Sequence, residues 1–233
     1  LRKTMIRVVL TLAISFFIAY GFGQEISEFL LAPLRLALSA DNSGSVVYLG
    51  LLDKVLSQFQ VAFWTSIIGS APIWFFLIWR FIKPGLHGYE IKAVRPFISV
   101  GFILFCIGVC FGYFLVFPMT FQTLMQFGVQ DVTATISLKD YLILASKVLV
   151  FLGIIFQLPN VMLILGFMGI VTKYTLRSFR SYVYVGFAVI SSIMTPPDVI
   201  TMMGLWVPLV ALYEVGILAV ALVVHPYLAR QHK

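Results

Sequence analysis

Charge is what this 233-residue chain has least of: Asp, Glu, Lys and Arg together make up 11% of it, and nine residues are acids. A soluble domain carries about 25% charged and roughly 45–50% apolar residues. Here 61% are apolar, which excludes an ordinary water-soluble fold. Cysteine is almost missing as well. Cys106 and Cys110 are the two present. They stand four apart on one helix face and have no histidine beside them to complete a metal set. They are expected as buried small hydrophobes. His87, His225 and His232 are dispersed and show no metal-ligand spacing, so no metal and no other cofactor is expected. No phosphate-binding loop and no nucleophile–base pair stands out, which argues against a nucleotide-driven pump and against an enzyme. The period-2 alternation of an outer-membrane barrel is lacking too.

What the chain does have is long apolar runs, at about 4–22, 59–81, 96–117, 141–168, 181–194 and 199–224. Most reach the ~18–20 residues that cross a bilayer as helix. The expected fold is an all-α polytopic membrane protein, one domain over residues 1–233, with about six spans. The first run shows no small-residue cleavage pattern and reads as a span, not as a cleaved leader. Pro72 is expected to kink the second run and Pro159 to interrupt the fourth. The fifth run is about 14 residues, roughly 21 Å of helix, short of the ~30 Å hydrocarbon core. It stops at Thr195-Pro196-Pro197-Asp198, read as a tight hairpin into a last run broken by Pro208. Between the first two runs, Ile26, Phe29, Leu30 and Pro33-Leu34 suggest an amphipathic interfacial piece, and residues 41–45 a turn. Residues 118–140 read as a loop.

The net charge of +7 would suggest nucleic acid in a soluble protein. Here the basic residues sit at the ends of apolar runs, so they report topology and no nucleic-acid partner is expected. Arg2, Lys3, Arg7, Arg80, Lys83, Lys92, Arg95, Lys173, Arg177, Arg180, Arg230 and Lys233 fall on one side. Arg35, Lys54, Lys139 and Lys147 fall on the other. The positive-inside rule then places both termini in the cytoplasm. No internal repeat is found, which weakens an inverted-repeat transporter.

Four polar residues stand out. Glu90 is the one acid in a basic segment between two spans. It reads either as a carboxylate that takes guanidinium through two parallel hydrogen bonds or as a solvated loop acid pairing weakly with Lys92 or Arg95. Gln157 lies inside the fourth run beside Pro159. It is either a docking point for a polar group at mid-membrane or a helix-packing hydrogen bond worth about 0.6–2 kcal/mol. Glu214, in the last run, is functional by default: protonated, paired, or snorkelling to the surface. Asp198 is a functional candidate whose competing role is a turn or helix cap. A secondary transporter using Gln157 and Glu214 at mid-bilayer stays open on these residues.

One ordered series of motifs is specific. It runs Leu31-Ala32-Pro33-Leu34, Ser70-Ala71-Pro72, Trp79-Arg80-Phe81-Ile82-Lys83-Pro84-Gly85-Leu86 with Glu90 following, Phe111-Gly112-Tyr113-Phe114 with Phe117-Pro118, Phe156-Gln157-Leu158-Pro159, Thr195-Pro196-Pro197-Asp198 and Tyr213-Glu214-Val215-Gly216. The series resembles the TatC family, the six-span core of the twin-arginine protein translocase, over essentially the whole chain. The resemblance implies a concave bundle with short fifth and sixth helices in the bacterial cytoplasmic (inner) membrane. It implies a receptor for the twin-arginine signal peptides of folded precursors, driven by the proton-motive force in a hetero-oligomer with the single-span subunits TatA and TatB. It places signal-peptide contact at Glu90, Phe81 and Arg2, and partner contact at Gln157 and Thr195. Glu214, Asp198 and Pro33 remain further candidates. The family opens on His-Leu-x-Glu-Leu-Arg, of which Leu1-Arg2 is present here, so the first of the family's two recognition acids is not represented. Gln157 stands where the family commonly has Glu.

Overall fold

The computed structural model describes residues 2–41, 44–82, 96–126, 134–195 and 198–224. Lipid offers no water to an unpaired peptide group, so apolar runs must satisfy their own backbone as helices. The elements are α1 (Arg2–Gly21), α2 (Gly23–Asp41), β1 (Gly44–Val47), α3 (Asp53–Gly69), α4 (Ala71–Ile82), α5 (Pro96–Phe111), α6 (Phe117–Gln126), β2 (Ala134–Ser137), α7 (Leu138–Ile155), α8 (Leu158–Phe167), α9 (Lys173–Ser178), α10 (Arg180–Met194) and α11 (Val199–Ala219). The architecture is that of an all-helical membrane protein. Thr4–Gly21, Ile98–Thr123, Leu138–Phe167 and Val199–Val224 are long and apolar enough to span, α3 with α4 makes a pair bent by 54°, and α10 is shorter. The last helix was expected to be short, yet α11 carries Pro208 inside it and, with the π-helical turn Val220–Val224 that follows, makes a run of 26 residues.

Several breaks have identifiable causes. The bend after α3 falls at Ser70, ahead of the expected Pro72. Pro72 has no N–H to return to Ile68, and its ring clashes with that carbonyl, so the helix stops one turn early. Ser70 then caps both sides: its N–H donates to Ser66 O at 2.9 Å, and its own carbonyl accepts from Trp74 N at 3.1 Å. Pro118 makes the opposite case. Where a loop was expected, the helix continues to Gln126. A π-helical turn over Gly112–Val116, with Phe117 N donating to Gly112 O, widens the backbone just before the proline and absorbs its missing donor. The segment 134–137 is also not loop. Its four residues pair in parallel with β1, Gly44 opposite Ala134 through Val47 opposite Ser137. The cysteines depart from expectation as well: Cys106 and Cys110 are exposed and not disulfide-bonded. On a helix that faces lipid, an outward thiol meets an apolar medium and has no need of burial.

The chain forms two compact units: Leu1–Leu77 with Val109–Leu152, and Ile78–Gly108 with Gly153–Lys233. In the first, α1 packs along α3, and α2 packs on α3 and α6. The apolar face of α2 turns to protein, with Leu30, Leu31, Leu34 and Leu38 buried. Pro33 inside α2 explains how it is held. A proline at 33 leaves the Phe29 carbonyl without its intrahelical donor. Tyr113 OH donates to that carbonyl at 2.8 Å, and Tyr141 OH donates to the adjacent Leu30 carbonyl at 2.6 Å. The Tyr113 ring also stacks on Phe29 at 4.4 Å. Tyr141 is 6% exposed, so Tyr141→Phe removes a buried hydrogen bond to the Leu30 carbonyl. The expected loss is about 0.5–1.5 kcal/mol, read from unfolding in mixed detergent micelles. Pro33→Ala is expected to return a donor to Phe29 O and make Tyr113→Phe nearly silent in that background.

At one end of this unit, Asp53 joins the two strand-bearing segments. Its Oδ1 takes Lys139 Nζ at 3.0 Å and its Oδ2 takes Gly50 N at 2.8 Å.

Candidate functional site

Gln157 sits at the junction of α7 and α8. Pro159, the second residue of α8, cannot donate to Ile155, so the ladder reopens there. Gln157 N reaches Ile154 O at 3.0 Å, and Val161 N restarts the helix on Gln157 O at 2.9 Å. The side chain is buried at 9% exposure. Its Nε2 donates to Gly101 O at 2.9 Å and makes a longer contact with Gly153 O at 3.5 Å. Its Oε1 accepts Asn160 Nδ2 at 3.5 Å. Asn160 is 5% exposed, and its Oδ1 has no partner among the described residues. The amide thus works as a donor toward α5, and its neighbour offers a spare acceptor. One turn before, Gly153 lets the two helices close: a Cβ there would stand 2.7 Å from Phe105 Cε2. Gly101 with Gln157, and Phe105 with Gly153, are successive rungs of one antiparallel packing seam.

Glu214 is paired, which settles one of its three readings. Arg180 Nη2 donates to Oε2 and Tyr184 OH donates to Oε1. The side chains of Arg180 and Glu214 remain 39% and 31% exposed. Aromatic contacts frame them: Tyr184 lies edge-on to Trp206 and to Tyr213, each at 6.4 Å. Trp206 Nε1 donates to Tyr184 O at 2.9 Å, and Tyr213 OH to Leu176 O at 2.8 Å. This cluster fastens the start of short α10 to the middle of α11. Arg180 entered the sequence reading only as a topology charge. A partner 34 residues away leaves no local spacing to find.

At the other end of α10, Thr195 is 6% exposed and its Oγ1 donates to Ser191 O at 2.8 Å. Ser191 is fully buried, and its Oγ has no partner among the described residues. Asp198 caps α11, its Oδ2 accepting Thr201 N at 3.0 Å. Arg2 opens α1 and Phe81 lies in the last turn of α4. Glu90 lies outside the described residues. The structure therefore gathers Gln157 with Asn160, and Glu214 with Arg180 and Tyr184.

The family model for TatC, the Sec-independent protein translocase protein, matches residues 1–208. A Sec-independent protein translocase protein TatC of Desulforapulum autotrophicum is 34% identical over 94% of this chain and 80% of its own. Those of Helicobacter pylori (strain ATCC 700392 / 26695) and Escherichia coli (strain K12) are 31% and 30% identical over 97% and 93% of this chain, and over 86% and 83% of their own. A solved structure, described as the crystal structure of the twin arginine translocase receptor TatC, superposes with a TM-score of 0.81. It is 29% identical and covers 95% of this chain and 96% of its own.

Proposed function

The chain belongs to the TatC family and is a component of the Sec-independent protein translocase, and from that premise we propose that it is the receptor that docks twin-arginine signal peptides of folded precursor proteins. The observation that carries the reading is the likeness, over nearly the whole chain, to a solved protein described as the twin arginine translocase receptor. In this reading the protein lies in the bacterial cytoplasmic membrane with both termini in the cytoplasm, as the distribution of Lys and Arg supports. Glu90 takes a signal-peptide arginine as a bidentate pair, and Phe81 and Arg2 also contact the signal peptide. The basic residues around Glu90 repel stray cations and hold the segment to anionic headgroups.

Gln157 and Thr195 are the contact points for the single-span subunits TatA and TatB. The spare acceptor of Asn160 and the buried hydroxyl of Ser191 lie next to them in sequence and lack partners among the described residues. A buried polar group without a partner is costly in lipid, and a polar side chain from an incoming helix relieves it. Glu214 serves as an anchor for α10 and not as a substrate group, which removes one of the two residues a transporter reading relied on. The protein does no chemistry of its own; transport draws on the proton-motive force acting on the assembled translocase.

The test is peptide binding to the purified protein in detergent, with an Arg-Arg signal peptide set against its Lys-Lys counterpart. Wild type is expected to prefer Arg-Arg by about tenfold, the worth of one bidentate charge-assisted pair. Glu90→Gln is expected to abolish the preference. Equal binding of both peptides to wild type, or a preference that survives Glu90→Gln, would defeat the assignment.

A further inference from the structure

A polar cavity of about 280 Å³ opens between α2 and the start of α3. Glu28 and Arg35 line it from α2, Lys54, Ser57 and Gln58 from α3, and Tyr48 from the segment after β1. Its level along the chain is informative. The apolar span of α1 ends at Gly21, and the apolar pair that includes α3 begins at Asp53. The cavity thus lies level with the ends of two candidate spans, where a bilayer places its headgroups. Exposed leucines precede Lys54 in sequence: Leu49, Leu51 and Leu52 are 70%, 102% and 69% exposed. Such side chains need an apolar medium beside the polar pocket.

The charges within the cavity are of both signs. Among the described residues, neither the Glu28 carboxylate nor the Lys54 ammonium makes a hydrogen bond or ion pair. Glu28 and Lys54 line one small cavity without closing on each other, which leaves room for a ligand that carries both charges. Ser57 Oγ spends its proton on Lys54 O at 2.9 Å, and Gln58 Nε2 is turned toward Tyr20 O at 3.5 Å. The Gln58 side-chain carbonyl and the Tyr48 hydroxyl remain to serve a ligand.

We infer that this cavity holds the zwitterionic headgroup of a phosphoethanolamine lipid. The phosphate lies toward Lys54, the ammonium is bound by Glu28, and the acyl chains run beside the exposed leucines. An anionic glycerol headgroup leaves Glu28 unpaired and repelled. A choline headgroup has no N–H to give it. The inference is independent of the signal-peptide reading.

The test is reconstitution of the full chain into nanodiscs of mixed phosphatidylethanolamine, phosphatidylcholine and phosphatidylglycerol with the same acyl chains. Re-extraction and mass spectrometry then count the lipids that stay bound. Wild type is expected to retain phosphatidylethanolamine about tenfold over each of the others, the worth of one charge-assisted hydrogen bond set. Glu28→Gln is expected to bring the ratio to phosphatidylglycerol near one, and Glu28→Asp to preserve the preference. Lys54→Gln is expected to lower retention of all three without changing their ratio. All variants are expected to elute as wild type in gel filtration, since these side chains are exposed. No preference in wild type, or a preference that survives Glu28→Gln, overturns the inference. Binding of soluble phosphoethanolamine with no enrichment of the lipid would overturn the lipid as occupant.

Discussion

Gly153→Ala is expected to destabilise the protein by about 1–3 kcal/mol, the range for forcing extra volume into a packed interior. The added methyl would meet three atoms of the Phe105 ring at 2.7, 2.9 and 3.1 Å. Phe105 is 1% exposed, so the ring has nowhere to swing, and α7 must move off α5. That shift also pulls Gln157 from Gly101, because the two contacts are neighbouring rungs of one seam. Gly186 is the control. A Cβ there meets nothing within 4 Å, so Gly186→Ala is expected to be neutral or to stabilise by up to about 1 kcal/mol through helix propensity. Unfolding of both variants in mixed micelles gives the comparison, and equal stability of the two would refute the close-packed seam. Gly216 is intermediate: its nearest neighbour is the flexible Met162 Sδ at 2.6 Å, with the Pro159 backbone behind it at 3.2 Å.

What could be read from the sequence divides along physical lines. Continuous apolar runs in lipid admit one backbone solution, so the helices were legible, and so was the break at Gln157, because a proline always removes a donor. The effect of Pro118 was not, since a π-helical turn upstream can absorb a proline and nothing in Gly112–Val116 announces it. The β1–β2 ladder was hidden by length: four-residue segments separated by most of the first unit carry no pattern. Tyr113 and Tyr141 were missed because their acceptors are backbone carbonyls, Phe29 and Leu30; of these only the Phe29 carbonyl is vacated by Pro33, and the Leu30 carbonyl carries no mark in the sequence at all. Arg180 was missed because a positive-inside count treats every arginine as a label for a side of the membrane, whereas this one is a partner of Glu214. Of the signal-peptide candidates, Arg2 and Phe81 lie in helices and Glu90 lies outside the described residues.

Gln157→Leu is expected to separate the two halves of the proposed function. The substitution keeps the volume at the α7–α8 junction but removes the donor to Gly101 O and leaves the Asn160 amide without Oε1. The expected stability cost is about 1–2 kcal/mol, the worth of a hydrogen bond inside a membrane bundle. Co-purification of the single-span subunits is expected to fall about tenfold, since an incoming polar group loses one of the side chains it would meet. Arg-Arg peptide binding is expected to stay at the wild-type level, because Gln157 has no part in that contact. Gln157→Glu probes the same atom differently. The wild-type amide gives a proton to Gly101 O at 2.9 Å, which a carboxylate cannot do and a neutral carboxylic acid can. The variant is therefore expected to be more stable at about pH 5 than at about pH 8, with stability lost as the acid ionises and two acceptor oxygens face each other. At this position wild type has no group that titrates, so it should lack that slope. A flat profile in Gln157→Glu would mean that the side chain has turned away from Gly101 and that the amide's donor role is dispensable. Loss of peptide binding in Gln157→Leu would mean instead that the junction supports the receptor face, and the division of labour proposed for the two sites would fall.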